Sequence, residues 1–162
     1  MDVTRVFIHG LDSSSQGTKG AFFRQRVPGM VLKDYAGDLE ERMAQLEGRL
    51  AGKDRLILVG SSYGGLMAAL FACRHRERVR RLVLLAPALE HGDFRPYMAS
   101  PLAIPVALYH GRKDDVVLPG PTREIAAGLF ANLDYQLVDD DHNLHEIFPT
   151  LDWEALLEMA AH

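Results

Sequence analysis

The stretch Arg55-Leu56-Ile57-Leu58-Val59-Gly60-Ser61-Ser62-Tyr63-Gly64-Gly65-Leu66-Met67-Ala68-Ala69-Leu70-Phe71-Ala72 reads as a strand, a turn and a helix in immediate succession. The apolar run Arg55 to Val59 has the character of a parallel strand buried on both faces, and Leu66 to Ala72 that of a buried helix. Between them the pattern Gly60-Ser61-Ser62-Tyr63-Gly64 places glycine two positions to either side of Ser62. Residues without a β-carbon permit a turn too sharp for others, and such a turn pushes the hydroxyl of Ser62 out at the carboxyl end of the sheet.

Working outward, strand-like and helical segments alternate. Strands are expected at Thr4–His9, Met30–Tyr35, Arg55–Val59, Val79–Ala86, Pro105–His110 and Leu133–Val138. Helices are expected at Lys19–Val27, with Ala21, Phe22 and Phe23 on its buried side, after an Asp38/Glu41 capping box, at Pro121–Phe130 and at Leu151–Ala161. In the helix after Asp38, Leu39, Met43, Leu46 and Leu50 recur on one face. Right-handed crossovers then give an α/β fold, a doubly wound, mostly parallel six-stranded sheet in the order 2-1-3-4-5-6, formed by residues 1–162 as a single domain.

With 162 residues, 48% of them hydrophobic, the chain can bury one substantial core. Its net charge of −4 gives no electrostatic footprint for nucleic acid. The basic cluster Arg74 to Arg81 falls between a helix end and the next strand, where positive charge complements the helix dipole. Cys73, the single cysteine, excludes an internal disulfide and reads as a small core residue. Met1 runs into a strand within a few residues, leaving no room for a signal peptide, and no apolar run approaches the roughly 20 residues that cross a bilayer. A soluble cytoplasmic protein, bound to neither membrane nor nucleic acid, is the expectation.

A serine hydroxyl becomes a nucleophile when a histidine takes its proton and a carboxylate orients that histidine. Asp114, following the fifth strand, can supply the carboxylate, and His142, following the sixth, the base. The chain order Ser, Asp, His suits a serine placed on such a turn. Strand phase and the spacing from Gly111 favour Asp114 over Asp115, and His145 is expected to be a surface residue of a helical segment Leu144–Phe148. Ser61 lacks a glycine two positions before it, since Val59 stands there. His9 and His110 each precede a glycine at a strand end and read as loop-shaping residues. The Tyr63 N–H at the helix start and the Leu11 N–H in the first loop can form an oxyanion hole, which requires no particular side chain. Asp139-Asp140-Asp141 beside His142 and His145 makes no complete metal set, so no metal and no cofactor is expected.

The loop His9-Gly10-Leu11-Asp12-Ser13-Ser14 and the elbow Gly60-Ser61-Ser62-Tyr63-Gly64-Gly65 resemble those of the α/β-hydrolase superfamily. Most similar are its small bacterial serine esterases, with an HG-x-x-SS loop and a GSS-x-GG elbow. Gly111-x-x-Asp114 and Asp141-His142-x-Leu144 fit the same pattern, so the resemblance runs from residue 4 to residue 160. It implies cleavage of carboxylic esters or thioesters through an acyl-enzyme, with Ser62, Asp114 and His142 as the triad. Relative to that superfamily the chain starts at what would be its third strand, and the connection from Leu89 to Ile104 is too short for a helical cap. A shallow, nearly lidless site for small acyl substrates is therefore expected, with Phe94, Tyr97 and Met98 as substrate wall. The alternative is a binding or regulatory module with slow or no turnover, because fold alone does not settle function; the oligomeric state is open.

Overall fold

The computed structural model describes residues 2–160. The strands are β1 (Thr4–Ile8), β2 (Val31–Leu32), β3 (Leu56–Ser61), β4 (Val79–Leu85), β5 (Val106–Gly111) and β6 (Leu133–Val138). Pairing is parallel throughout, in the order β2-β1-β3-β4-β5-β6. Val6 lies opposite Leu58 and Leu58 opposite Leu82, so the middle strands stay in step apart from one register shift at Leu56/Ile57. The helices are α1 (Thr18–Arg26), α2 (Leu39–Arg49), α3 (Tyr63–Arg74), α4 (Arg95–Met98), α5 (Pro119–Leu129) and α6 (Trp153–Leu156).

The period of two along each strand sends side chains to alternate faces. Val6, Ile8, Leu56, Leu58, Leu82 and Leu84 pack with α2, α3 and α5. Phe7, Ile57, Val59, Val83 and Leu85 pack on the other side with Phe23 of α1, Val27 just after it, Trp153 of α6, and Leu157. The doubly wound architecture read from the sequence is therefore the observed one. Every residue of α3 from Gly64 to Cys73 is buried, which is why this helix is apolar all round while α2 carries its apolar residues on one side. Each large side chain removed from water in these layers contributes about 1.5–3 kcal/mol. The capping box forms as expected: the Asp38 carboxylate accepts from the Glu41 N–H at 2.9 Å, and the Glu41 carboxylate from the Asp38 N–H at 3.1 Å.

Several boundaries differ from expectation, each for a local reason. β2 stops at Leu32 rather than Tyr35, because the Tyr35 N–H donates to His9 Nε2 at 3.0 Å instead of to a neighbouring strand. β3 begins after Arg55, whose φ of 53° is incompatible with a strand, and runs on to Ser61. α5 starts two residues earlier than expected, at Pro119. Leu144 to Phe148 forms a turn leading into a 3-10 segment rather than a helix.

The closing helix expected over Leu151–Ala161 is only Trp153–Leu156; Ala161 lies outside the described residues. Glu158 turns left-handed (φ 53°), and Met159 N–H closes back on the Glu154 carbonyl at 2.8 Å, a helix-ending geometry. Arg5 then holds the carbonyls of Leu157 and Glu158 at 2.6 and 2.8 Å, while Arg80 and Arg81 pair with the Glu158 carboxylate. Two members of the basic cluster thus act as clamps for the chain end.

No helix among the described residues is long and apolar enough to cross a membrane. Cys73 is buried in the α3 layer, and that burial pushes its thiol up to about 12. The reactive thiolate is accordingly disfavoured in the folded protein. Near neutral pH, iodoacetamide should leave Cys73 unmodified in the native state and alkylate it fully in guanidinium, as read by intact mass.

Candidate active site

The turn between β3 and α3 is held by crowding. Ser62 has φ 56° and ψ −116°, a conformation that costs a non-glycine residue about 1–3 kcal/mol. It is locked there because the Ser62 N–H donates to the Leu85 carbonyl at 2.9 Å, and its carbonyl accepts from Gly65 and Ala88 at 2.9 and 3.0 Å. A β-carbon at Gly60 would strike the backbone of Gly64, and one at Gly64 the carbonyl oxygens of Ile8 and His9. Both glycines are required by close approach of backbone to backbone.

Asp114 follows β5 and its side chain is wholly buried. Its Oδ1 accepts from the backbone N–H groups of Val116 and Val117 at 2.9 and 2.8 Å. Its Oδ2 lies 2.7 Å from His142 Nδ1. The carboxylate can only accept, so the imidazole proton resides on Nδ1 and Nε2 is free to accept. Nε2 lies 3.1 Å from Ser62 Oγ, in position to take a hydrogen bond from the hydroxyl. The loop carrying His142 is fixed by Asp140, whose buried carboxylate accepts from the N–H groups of Asp141, Glu146 and Ile147 at 2.8, 3.0 and 2.8 Å.

The structure thus brings Ser62, Asp114 and His142 into one hydrogen-bonded chain beyond the carboxyl ends of three strands. Asp115 is exposed, and His145 pairs with Asp141 at 3.0 Å rather than with the serine. His9 shapes the first loop: its Nδ1–H donates to the Gly10 carbonyl at 2.7 Å while Nε2 accepts from Tyr35. Leu11 and Tyr63 border the same cavity as Ser62, and neither N–H is engaged in a hydrogen bond within the described residues. Asp139 pairs with Lys113 at 3.3 Å, so the three acids of that loop serve separate partners.

His110, a loop-shaping residue by its sequence context, does more in the structure. It is fully buried, with Nε2 2.7 Å from the Val117 carbonyl and 3.1 Å from Asp114 Oδ2. Both neighbours are acceptors, so Nε2 carries the proton, and Nδ1 is buried without a partner. Asp114 is thereby surrounded by four donors, which fixes its orientation. The sequence signal was a histidine four residues before the acid, and only the packing reveals what it touches.

The cavity at Ser62 has a volume of about 820 Å³, walled by Phe7, Leu11, Phe22, Val116, Leu144 and Phe148 among others. This lies high in the roughly 300–1,000 Å³ range of small-molecule sites. The wall draws on α1 and on the loops after β1, β3, β5 and β6, and the Leu89–Ile104 connection contributes His91 to it. As substrate wall, Phe94, Tyr97 and Met98 are corrected: none of them lines this cavity. Phe94 is buried in the α3-side core, with Tyr97 and Met98 packed against that core, because the connection folds back over α3 and α5. Met98 Sδ sits against Gly128 of α5.

A protein-family model described as alpha/beta hydrolase fold matches residues 10–100. Over 57 residues the chain is 42% identical to homoserine O-acetyltransferase of Thermus thermophilus; that stretch is 35% of this chain and only 15% of the relative. Among solved structures, alpha/beta hydrolase domain-containing protein 10 from mouse superposes with a TM-score of 0.75 at 20% identity, over 97% of this chain and 90% of that one. Est1E from Butyrivibrio proteoclasticus, with ferulic acid bound, gives 0.73 at 16% identity over 97% and 87%. A monoacylglycerol lipase from Paleococcus ferrophilus gives 0.69 at 17% identity over 96% and 94%.

Replacing His110 by alanine should cost about 2–3 kcal/mol of stability, since it empties a fully buried site and strips donors from buried acceptors. The exposed His145→Ala should change stability by less than about 0.5 kcal/mol. Urea denaturation of the two variants beside the parent measures both.

Proposed function

The chain belongs to the alpha/beta hydrolase fold family, and from that membership we propose that it is a serine hydrolase cleaving carboxylic ester or thioester bonds. The observation that carries this reading is the unbroken chain Asp114 Oδ2, His142 Nδ1, His142 Nε2, Ser62 Oγ, with steps of 2.7 and 3.1 Å across the ring.

In this mechanism Ser62 Oγ attacks the carbonyl carbon while His142 Nε2 takes the hydroxyl proton. Asp114 holds the ring in the required tautomer and stabilises the imidazolium that forms. The developing oxyanion is received by the N–H groups of Leu11 and Tyr63, the latter at the positive end of α3. Each such donor is worth on the order of 3 kcal/mol in the transition state. The bond to the leaving alcohol or thiol then breaks, His142 returns the proton to that group, and Ser62 is left acylated. Water, deprotonated by His142, attacks the acyl carbon; the acid departs and Ser62 recovers its proton. The chemistry needs no metal or cofactor. An alcohol could take the place of water in the second step, which is the reading favoured by the stretch shared with an acetyltransferase.

The test is turnover of p-nitrophenyl acetate and butyrate, with and without added alcohol acceptors, beside labelling by a fluorophosphonate. Ser62→Ala should lower kcat/KM by at least about 10³-fold and abolish labelling. Asp114→Asn should lower it by about 10²- to 10⁴-fold and Asp115→Asn by less than twofold. Undiminished turnover in the Ser62→Ala protein would refute the nucleophile. Labelling without turnover of any ester or thioester would point instead to a binding module.

A further inference from the structure

The cavity at Ser62 carries a cation that the ester chemistry does not use. Lys19 lines it from the first turn of α1, next to Thr18 and one turn before Phe22. Its Nζ donates to the Asn143 carbonyl at 2.7 Å, in the loop that bears His142, and lies 5.4 Å from the centre of the Phe148 ring. Phe148 in turn meets Phe22 edge-on at 4.9 Å between centroids. One ammonium and two aromatic rings therefore form a continuous piece of wall beside the catalytic histidine's loop.

No carboxylate among the described residues lies within 4 Å of this ammonium. The acids nearest in sequence to its partner loop are committed elsewhere: Asp139 to Lys113, Asp140 to three backbone N–H groups, Asp141 to His145. Burial draws the Lys19 pKa below its ordinary value, with the fields of Asp141 and Asp140 opposing that shift. This half-buried cation has a neutral carbonyl as its single hydrogen-bond acceptor among the described residues, which leaves two N–H groups for water or an incoming ligand. Toward an apolar ester, that arrangement is a handicap. Toward an anion it is a ready-made partner, strengthened by the low polarity of the surrounding rings.

We infer that the substrate carries a carboxylate, separated from its ester or thioester group by an apolar segment, and that Lys19 receives that carboxylate while Phe22 and Phe148 flank the segment. The inference rests on the assignment of Ser62 as the acylated serine and goes beyond it to the class of substrate.

Two readouts test it. In the first, p-nitrophenyl hemiesters of dicarboxylic acids of increasing length are compared with p-nitrophenyl esters of monocarboxylic acids of the same length; 4-acyloxybenzoates and their methyl esters place the carboxylate on the leaving group instead. At one spacing the anionic substrate should exceed its neutral twin in kcat/KM by about tenfold or more. Lys19→Met should bring that ratio to within twofold of unity, and Lys19→Arg should preserve it. In the second, the Ser62→Ala protein is titrated calorimetrically with monomethyl and dimethyl suberate. The monoester should bind at least tenfold tighter, and the added Lys19→Met change should remove the difference.

Hydrolysis of neutral esters with no anionic preference in either series, or a preference that survives Lys19→Met, overturns the role of Lys19 and leaves the serine hydrolase standing. A protein that hydrolyses nothing defeats the hydrolase reading. The calorimetric comparison then still decides the cation, and equal affinity for the two suberates shows Lys19 to be only a tie between α1 and the loop.

Discussion

The left-handed backbone of Ser62 is the constraint on which the site depends. A serine at φ 56° would relax if its neighbours allowed it. They do not: Gly60 and Gly64 bring β3, α3 and the end of β1 so close that not even a methyl group fits between them. A hydrogen bond from the Ser62 N–H to the Leu85 carbonyl and one from the Ala88 N–H to the Ser62 carbonyl hold the turn from the β4 side. The strain is thus supported by the centre of the sheet, where Val59, Leu84 and Leu85 are wholly buried. Any slackening of this packing would let the hydroxyl fall away from His142.

The other two members of the chain are positioned by a different device, saturation of hydrogen bonds. Asp114 is surrounded by two backbone N–H groups and two imidazoles, and has no freedom to rotate without losing donors. The loop of His142 is stapled from within by Asp140. Preorganised groups need no rearrangement as charge develops, and this is the main source of catalytic electrostatics. His110 belongs to the same economy: it ties the turn after β5 to the acid by donating between the Val117 carbonyl and Asp114.

These two devices explain why the sequence was legible where it was. The strand–turn–helix around Ser62 is local, so glycine spacing and apolar runs sufficed to find it. The parallel order of strands followed from the alternation of elements and from the handedness of crossovers. Non-local contacts were not legible. Nothing in the run Leu151 to Glu158 announces that Arg5, more than 150 positions earlier, will hold its carbonyls and end the helix. Likewise the shortening of β2 depends on His9 capturing the Tyr35 N–H, a contact between loops.

The misplaced substrate wall has the same origin and a further lesson. Phe94, Tyr97 and Met98 are apolar residues on a connection next to the site, and apolarity alone cannot distinguish a residue that faces a ligand from one that faces the core. Phe22 and Phe23 make the point within one turn of α1: Phe23 is wholly buried among Phe7, Phe148 and Trp153, whereas its neighbour Phe22 turns to the cavity. The discriminating feature is polar company. Phe23 is enclosed by other apolar rings, while Phe22 shares its wall with an ammonium whose one hydrogen-bond acceptor among the described residues is the Asn143 carbonyl. An apolar surface that carries such a charge is one that an anionic ligand can complete.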